Sequence, residues 1–175
     1  DSIIVTFPSG RQYKIDSTGK IIEGEFESSA PTIDFEAIMQ EAIANREDDE
    51  EIGIGTDGSI VDLSLWTYTQ DDNNKTISLA GYYGSGSFPA YTGDIVDGRI
   101  IGKVPQYIMP EGENEFYSVV NMGYTFVNCS KLEIAPEIPS TVESMYGTFY
   151  GCTALVNAPE IPDSVNSMEF TFNNR

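Results

Sequence analysis

Two stretches of this chain are copies of one another. Residues 119–141 and 142–164 superpose with a shift of 23 residues and no gap. Val119, Met122, Thr125, Phe126, Cys129 and Leu132 recur as Val142, Met145, Thr148, Phe149, Cys152 and Leu155. Ala135-Pro136-Glu137-Ile138-Pro139 recurs as Ala158-Pro159-Glu160-Ile161-Pro162, and a third copy opens with Val165, Met168, Thr171 and Phe172. A unit this short cannot bury its own apolar side chains, so a fixed period in the low twenties demands that successive copies stack. The repeat therefore predicts like residues lying over like, one period apart.

With Leu, Ile, Phe and Val held in phase, the period predicts a short leucine-rich repeat solenoid over residues 119–175. Within it, Leu132–Pro136 and Leu155–Pro159 read as short strands, each stopped by its proline. Val, Met and Phe face inward on the return side. Cys129 and Cys152 hold one repeat position and should be ladder neighbours. Strand spacing of about 4.8 Å falls within disulfide range, whereas parallel side chains suit the bond's dihedral poorly, so a buried thiol pair and a bridge both stay open. Positions that differ between copies, among them Gly123/Tyr146, Val127/Tyr150, Glu133/Val156 and Ile134/Asn157, should face solvent. Tyr124, Tyr146, Tyr150, Glu133, Val156 and Asn157 are the candidate partner-binding surface.

The preceding sequence is organised differently. Residues 1–52 predict a β-meander followed by one amphipathic helix. Ile3, Val5, Tyr13 and Ile15 alternate with polar neighbours around Pro8-Ser9-Gly10, and Asp16-Ser17-Thr18-Gly19 supplies a second turn. A polar linker, Glu23–Pro31, leads to a helix from Asp34 to about Glu47, with Phe35, Ile38, Met39, Ala42 and Ile43 on one stripe and Asp34 as its cap. The acids after Arg46 stand at the unfavourable end of that helix's dipole. Residues 53–118 predict strands at Ile60–Tyr68 and Lys75–Tyr83 about the turn Asp71–Asn74, then an irregular first turn of the solenoid.

Composition narrows the functional classes. The 28 acids and 9 bases give a net charge of −19, and no two bases are adjacent. Nucleic-acid binding requires clustered positive charge, so no nucleic-acid partner is expected, and an anionic membrane would repel the chain. No apolar run is long enough to span a bilayer, so no membrane insertion within this chain is expected. The absence of histidine removes the Ser-His-Asp and Cys-His arrangements. A carboxylate pair of the glycoside-hydrolase type remains, but among 28 acids such a pair carries no specificity. Gly84-Ser85-Gly86 lacks the residues of a phosphate cradle, and Asp48-Asp49-Glu50-Glu51 lacks the spacing of a calcium loop. Two cysteines without a Cys-x-x-Cys pair make no zinc site. No catalytic residue, cofactor or metal is expected. Trp66, Tyr68, Tyr82, Tyr83, Phe88 and Tyr91 read as core or capping aromatics in preference to a glycan platform. Asn74-Lys75-Thr76 and Asn128-Cys129-Ser130 read as chance glycosylation sequons. The start at Asp1 fits either removal of an upstream segment or a portion of a longer protein.

Phe149-Tyr-Gly-Cys-Thr-Ala-Leu155 followed by Ala158-Pro-Glu-Ile-Pro-Asp-Ser-Val165 resembles the BspA-like leucine-rich repeats of bacterial cell-surface proteins. The resemblance covers residues 119–175 closely and 76–108 loosely, through Thr76–Tyr82 and Gly102-Lys103-Val104-Pro105. This chain has Met and Thr before the Phe where that family more often has Ile and Ala, a change expected to alter packing. The resemblance implies a right-handed, β-rich solenoid on a secreted or surface-attached protein, used in adhesion or recognition of a protein or glycan, without catalysis. Val5–Arg11 and Ile15–Lys20 resemble ectodomain segments of prepilin-like proteins, which implies the alternative of a structural, pilin-like or surface-layer subunit. The expected fold class is thus mainly β with minor α: a short right-handed leucine-rich repeat solenoid preceded by a β-meander and one amphipathic helix.

Overall fold

Alternating apolar residues at the start of the chain produce a three-stranded antiparallel meander: β1 (Ser2–Thr6), β2 (Gln12–Asp16) and β3 (Ile21–Gly24), in that spatial order. Register places Ile3, Ile15 and Ile21 in one row across the three strands. The Asp16 carboxylate holds the β2–β3 turn by accepting from the Thr18 hydroxyl and from the amides of Lys20 and Thr18, and these bonds keep it below the usual carboxylate range. A computed structural model describes residues 2–6, 8, 12–24, 33–82 and 95–173. It divides into two units, Asp1–Ile33 and Asp34–Arg175. The expected linker beyond Gly24, the Gly84-Ser85-Gly86 loop, and Tyr83, Phe88 and Tyr91 lie outside the described residues. Among the described residues the protein is mainly β with one α-helix.

The helix, α1 (Phe35–Asn45), begins where expected, with Asp34 Oδ1 accepting from the Ala37 amide at 3.1 Å. It ends before Glu47. Arg46 turns to an extended backbone, and its guanidinium donates to the Glu113 carbonyl and pairs with Asp49 at 3.7 Å. The sequence groups this helix with the meander, but its stripe packs on the second unit: Phe35, Ile38, Met39, Ala42 and Ile43 lie against Ile52, Ile54 and Met109.

Those three residues belong to a six-stranded sheet. Its strands are β4 (Ile52–Gly55), β5 (Ile60–Val61), β6 (Trp66–Asp71), β7 (Thr76–Tyr82), β10 (Pro105–Met109) and β11 (Tyr117–Asn121). A short hairpin, β8 (Ile95–Val96) with β9 (Arg99–Ile100), lies between β7 and β10 in sequence. The spatial order is β5-β4-β10-β11-β7-β6. Every pairing is antiparallel except β11 with β7, where Ser118, Val119 and Asn121 run alongside Thr76, Ile77 and Ser78. That parallel pair matters because β11 carries the chain into the repeats. Trp66 and Tyr82 sit in the core against Phe126, with ring centroids 5.9 and 6.0 Å away, so these two aromatics are core residues.

The copies meet through a regular exchange of backbone hydrogen bonds. The amides of Met122, Tyr124, Phe126 and Asn128 donate to the carbonyls of Ser144, Tyr146, Thr148 and Tyr150, at 2.7–3.0 Å. The intervening amides of Thr125, Val127 and Cys129 donate three residues back, within their own copy. One period later, Met145, Gly147, Phe149 and Gly151 donate to Ser167, Glu169, Thr171 and Asn173 in the same way. Each copy is thus a string of tight turns whose alternate amides reach the next copy, and buried polar groups are satisfied without a continuous strand. Parallel bridges join Asn121 to Ser144 and Ser144 to Ser167.

The strands expected at Leu132–Pro136 and Leu155–Pro159 reduce to one parallel bridge, Ile134 with Asn157. Pro136 and Pro159 end these segments, and the amides of Glu133 and Ile134 both donate to the Gly98 carbonyl, so no run of bonds extends. Inside, the repeated positions are core residues. Val119, Met122, Phe126, Cys129 and Leu132, with Val142, Met145, Phe149 and Cys152, are fully buried. Phe126, Phe149 and Phe172 form a column, with centroids 5.5 and 5.8 Å apart and planes inclined by 6°.

Threonine does more here than alter packing. Thr125, Thr148 and Thr171 are buried, and their hydroxyls donate to the carbonyls of Leu79, Met122 and Met145, at 3.0, 2.8 and 2.6 Å. The first of these reaches β7, which makes β7 the neighbour that precedes the first copy. Thr148→Val keeps the shape and removes the donor, and it should cost about 1–1.5 kcal/mol. Urea unfolding measures this; an unchanged midpoint would mean that the hydroxyl ladder contributes nothing.

Candidate interaction surface

The surface follows from the two kinds of position in the repeat. The Val, Met, Thr, Phe, Cys and Leu positions alike in both copies are buried; several that differ stand outside. Tyr124 adopts a left-handed backbone (φ +57°), as do Gly147 and Phe170 at the same repeat position. This geometry swings the Tyr124 ring over the next copy. A Cβ on Gly147 would lie 2.5 Å from that ring, so glycine is required beneath it. The ring comes to rest edge-on against Tyr146, at 5.6 Å and 71°, and Tyr146 meets Phe170 at 5.5 Å and 74°. Tyr124 and Phe170 keep nearly half of their surface exposed. Burial in this column raises the Tyr146 hydroxyl above its ordinary pKa, and Tyr124 and Glu169 push it the same way.

Glu133, Val156 and Asn157 come together elsewhere, beside the single bridge at Ile134. The Val156 amide donates to the Glu133 carbonyl at 3.2 Å, and Val156 leaves 66 % of its surface exposed. These residues line a groove of about 340 Å³ with Ala135 and Pro159. A neighbouring groove of about 240 Å³ shares Ile134 and Ala135 and carries Arg99, Lys103 and Glu137. There Lys103 Nζ pairs with Asp57 at 2.9 Å and donates to Ser59 Oγ at 2.8 Å. The Ser59 hydroxyl first, and Lys103 second, hold the Asp57 carboxyl far below the usual range.

The six residues chosen from sequence therefore fall on two surfaces. Tyr124 and Tyr146 share the aromatic column; Glu133, Val156 and Asn157 share the groove. Tyr150 is half-buried and does not line the groove. Phe170 was missed, although it stands one period beyond Gly147 and two beyond Tyr124. Arg99 and Lys103 carried no repeat signal at all. Asn74 of the first sequon donates to Asp71 within its turn, and Asn128 of the second is exposed beside buried Cys129.

Both cysteines are free thiols in the core. Cys152 Sγ donates to the Phe126 carbonyl at 3.1 Å. Burial pushes the Cys129 thiol up to about 12, with Cys152 adding to it, and burial raises Cys152 to about 11. Native protein at pH 8 should therefore react with a maleimide at least ~100-fold more slowly than urea-unfolded protein, since the thiolate is the nucleophile. Because both folded values exceed the ordinary one, the unfolded chain loses these protons first, and stability should fall as pH rises above about 9. Rapid native labelling at pH 8 would contradict the burial.

Among the described residues, no group of three or more His, Cys, Asp or Glu side chains could hold a metal ion. Among the same residues, no helix is long and apolar enough to cross a membrane. Comparison with protein-family models, with curated proteins and with solved structures finds no match to this chain.

Proposed function

We propose that this is a non-enzymatic extracellular protein of a bacterial surface, which recognises a protein or glycan through the outward face of its repeats. In this reading residues 119–175 are turns of a right-handed leucine-rich solenoid of the BspA-like kind, entered through β7 and β11. One observation carries it: the shared Val, Met, Thr, Phe, Cys and Leu of the first two copies are core residues, while Tyr124, Glu133, Ile134, Val156 and Asn157 differ between copies and are exposed. Such a division keeps a rigid scaffold constant and leaves its exterior free to suit a ligand. The aromatic column and the Val156 groove are both apolar enough to contribute to binding once covered.

The test is a screen of the purified chain against glycans and host surface proteins, repeated with Val156→Asp and Tyr124→Ala. Both side chains are exposed, so folding should survive. A ligand bound by this face should weaken at least ~10-fold with one of the two, as expected of a central contact residue. A ligand indifferent to both would place recognition elsewhere, and substrate turnover abolished by a single acid substitution would replace this reading with the enzymatic one.

A further inference from the structure

A further cavity lies away from the repeats. It is a cleft of about 820 Å³ between α1 and the β4–β5 end of the sheet, within the size range of ligand sites. Its floor is apolar: Ile52, Val61 and Leu63 are buried there, and Ile60 at its side leaves 65 % of its surface exposed. Its walls are acidic, with Glu41 on α1, Glu50 and Glu51 in the following loop, and Asp62 after β5. Arg46 is the one cation of the lining, and its guanidinium is already engaged by the Glu113 carbonyl and Asp49. Glu51 accepts from the Tyr68 hydroxyl at 2.6 Å, and Asp62 accepts from the Ser64 amide and hydroxyl. These bonds orient two carboxylates without neutralising them. The side-chain carboxylates of Glu41 and Glu50 have no hydrogen bond or ion pair among the described residues.

We propose that this cleft binds an extended basic peptide of a partner protein, with Lys or Arg flanking an apolar residue. Charge complementarity selects the cation, because several carboxylates face the space and no free positive group answers them. The apolar floor selects a cation with a hydrocarbon body, since Lys and Arg lay their stems on apolar surface while the charged heads reach acids. Backbone geometry selects a peptide. β5 is an edge strand paired on one side alone, so an extended chain beside Ile60–Val61 finds unpaired main-chain groups.

The probe is a fluorescein-labelled Arg-Leu-Lys-Leu-Arg peptide titrated into the full chain, read by anisotropy. Saturable binding is expected, weakened about fivefold or more by Glu41→Gln with Glu50→Gln. Ile60→Asn should weaken it as well, by removing the exposed apolar side chain at the cleft's side. Glu143→Gln with Glu160→Gln removes the same charge from exposed positions of the repeats and should leave it unchanged. Equal weakening by the two charge pairs would reduce the effect to the overall charge of −19 and overturn the site. No saturable binding would overturn it too. Full displacement by spermine at equal concentration would assign the cleft to small organic cations instead of a peptide.

Discussion

Phe149→Ala should destabilise the second unit by about 3–5 kcal/mol. The ring is stacked on both faces, by Phe126 at 5.5 Å and by Phe172 at 5.8 Å, and none of it is exposed. Truncation removes the transfer energy of the ring and leaves a hole that neighbours on fixed turns cannot fill. Near-parallel rings also contribute about 0.5–1.5 kcal/mol beyond buried area. The readout is built in: the chain has one tryptophan, Trp66, and its ring lies 5.9 Å from Phe126 in the same core. Urea titration of Trp66 fluorescence gives the difference. A loss under about 1 kcal/mol would mean that the column does not hold the copies together.

The second large effect is expected at Gly147. Gly147→Val should cost about 2–3 kcal/mol for two separable reasons. A β-branched residue is strained at φ +62°, and its Cβ would occupy space held by the Tyr124 ring 2.5 Å away. Adding Tyr124→Ala removes the collision but not the backbone strain. The double variant should therefore recover about 1 kcal/mol and remain less stable than the native chain, a coupling that a double-mutant cycle isolates. Full additivity of the two changes would dissociate Tyr124 from Gly147.

Much of this was legible because a repeat states its own register. The 23-residue offset alone sets Phe126 over Phe149 and Cys129 over Cys152, and it picks out Glu133 and Val156 as unlike neighbours. Asp34 and the spacing of Phe35, Ile38, Met39 and Ala42 announce a helix, since the 3.6-residue period is a local property. What such a helix packs against is not local. Ile52, Ile54 and Met109 come from two strands distant in sequence, and only the sheet order brings them together. The threonine ladder escaped for another reason. A hydroxyl at a core position resembles a packing substitute until the carbonyl of the preceding copy is seen to need a donor. The strand read at Leu132–Pro136 is not there, because Pro136 ends the segment and the Gly98 carbonyl, invisible to a local pattern, takes the amides of Glu133 and Ile134. Of the α1–β5 cleft only the acidic run holding Glu50 and Glu51 was visible in the sequence, since Glu41 and Asp62 join it from other elements of a chain already rich in acid.

The alternation of amides, one inside its own copy and the next toward its neighbour, has a consequence for inheritance. Every copy offers its predecessor the same carbonyls that it demands of its successor, so an in-frame duplication of one unit arrives with its contacts already specified. Removal of residues 142–164 as a whole should let Val165–Thr171 dock where Val142–Thr148 stood, whereas removal of one residue more or fewer throws Met, Thr and Phe out of phase. Genes of this kind can lengthen or shorten by recombination between their own copies and still encode a protein that folds.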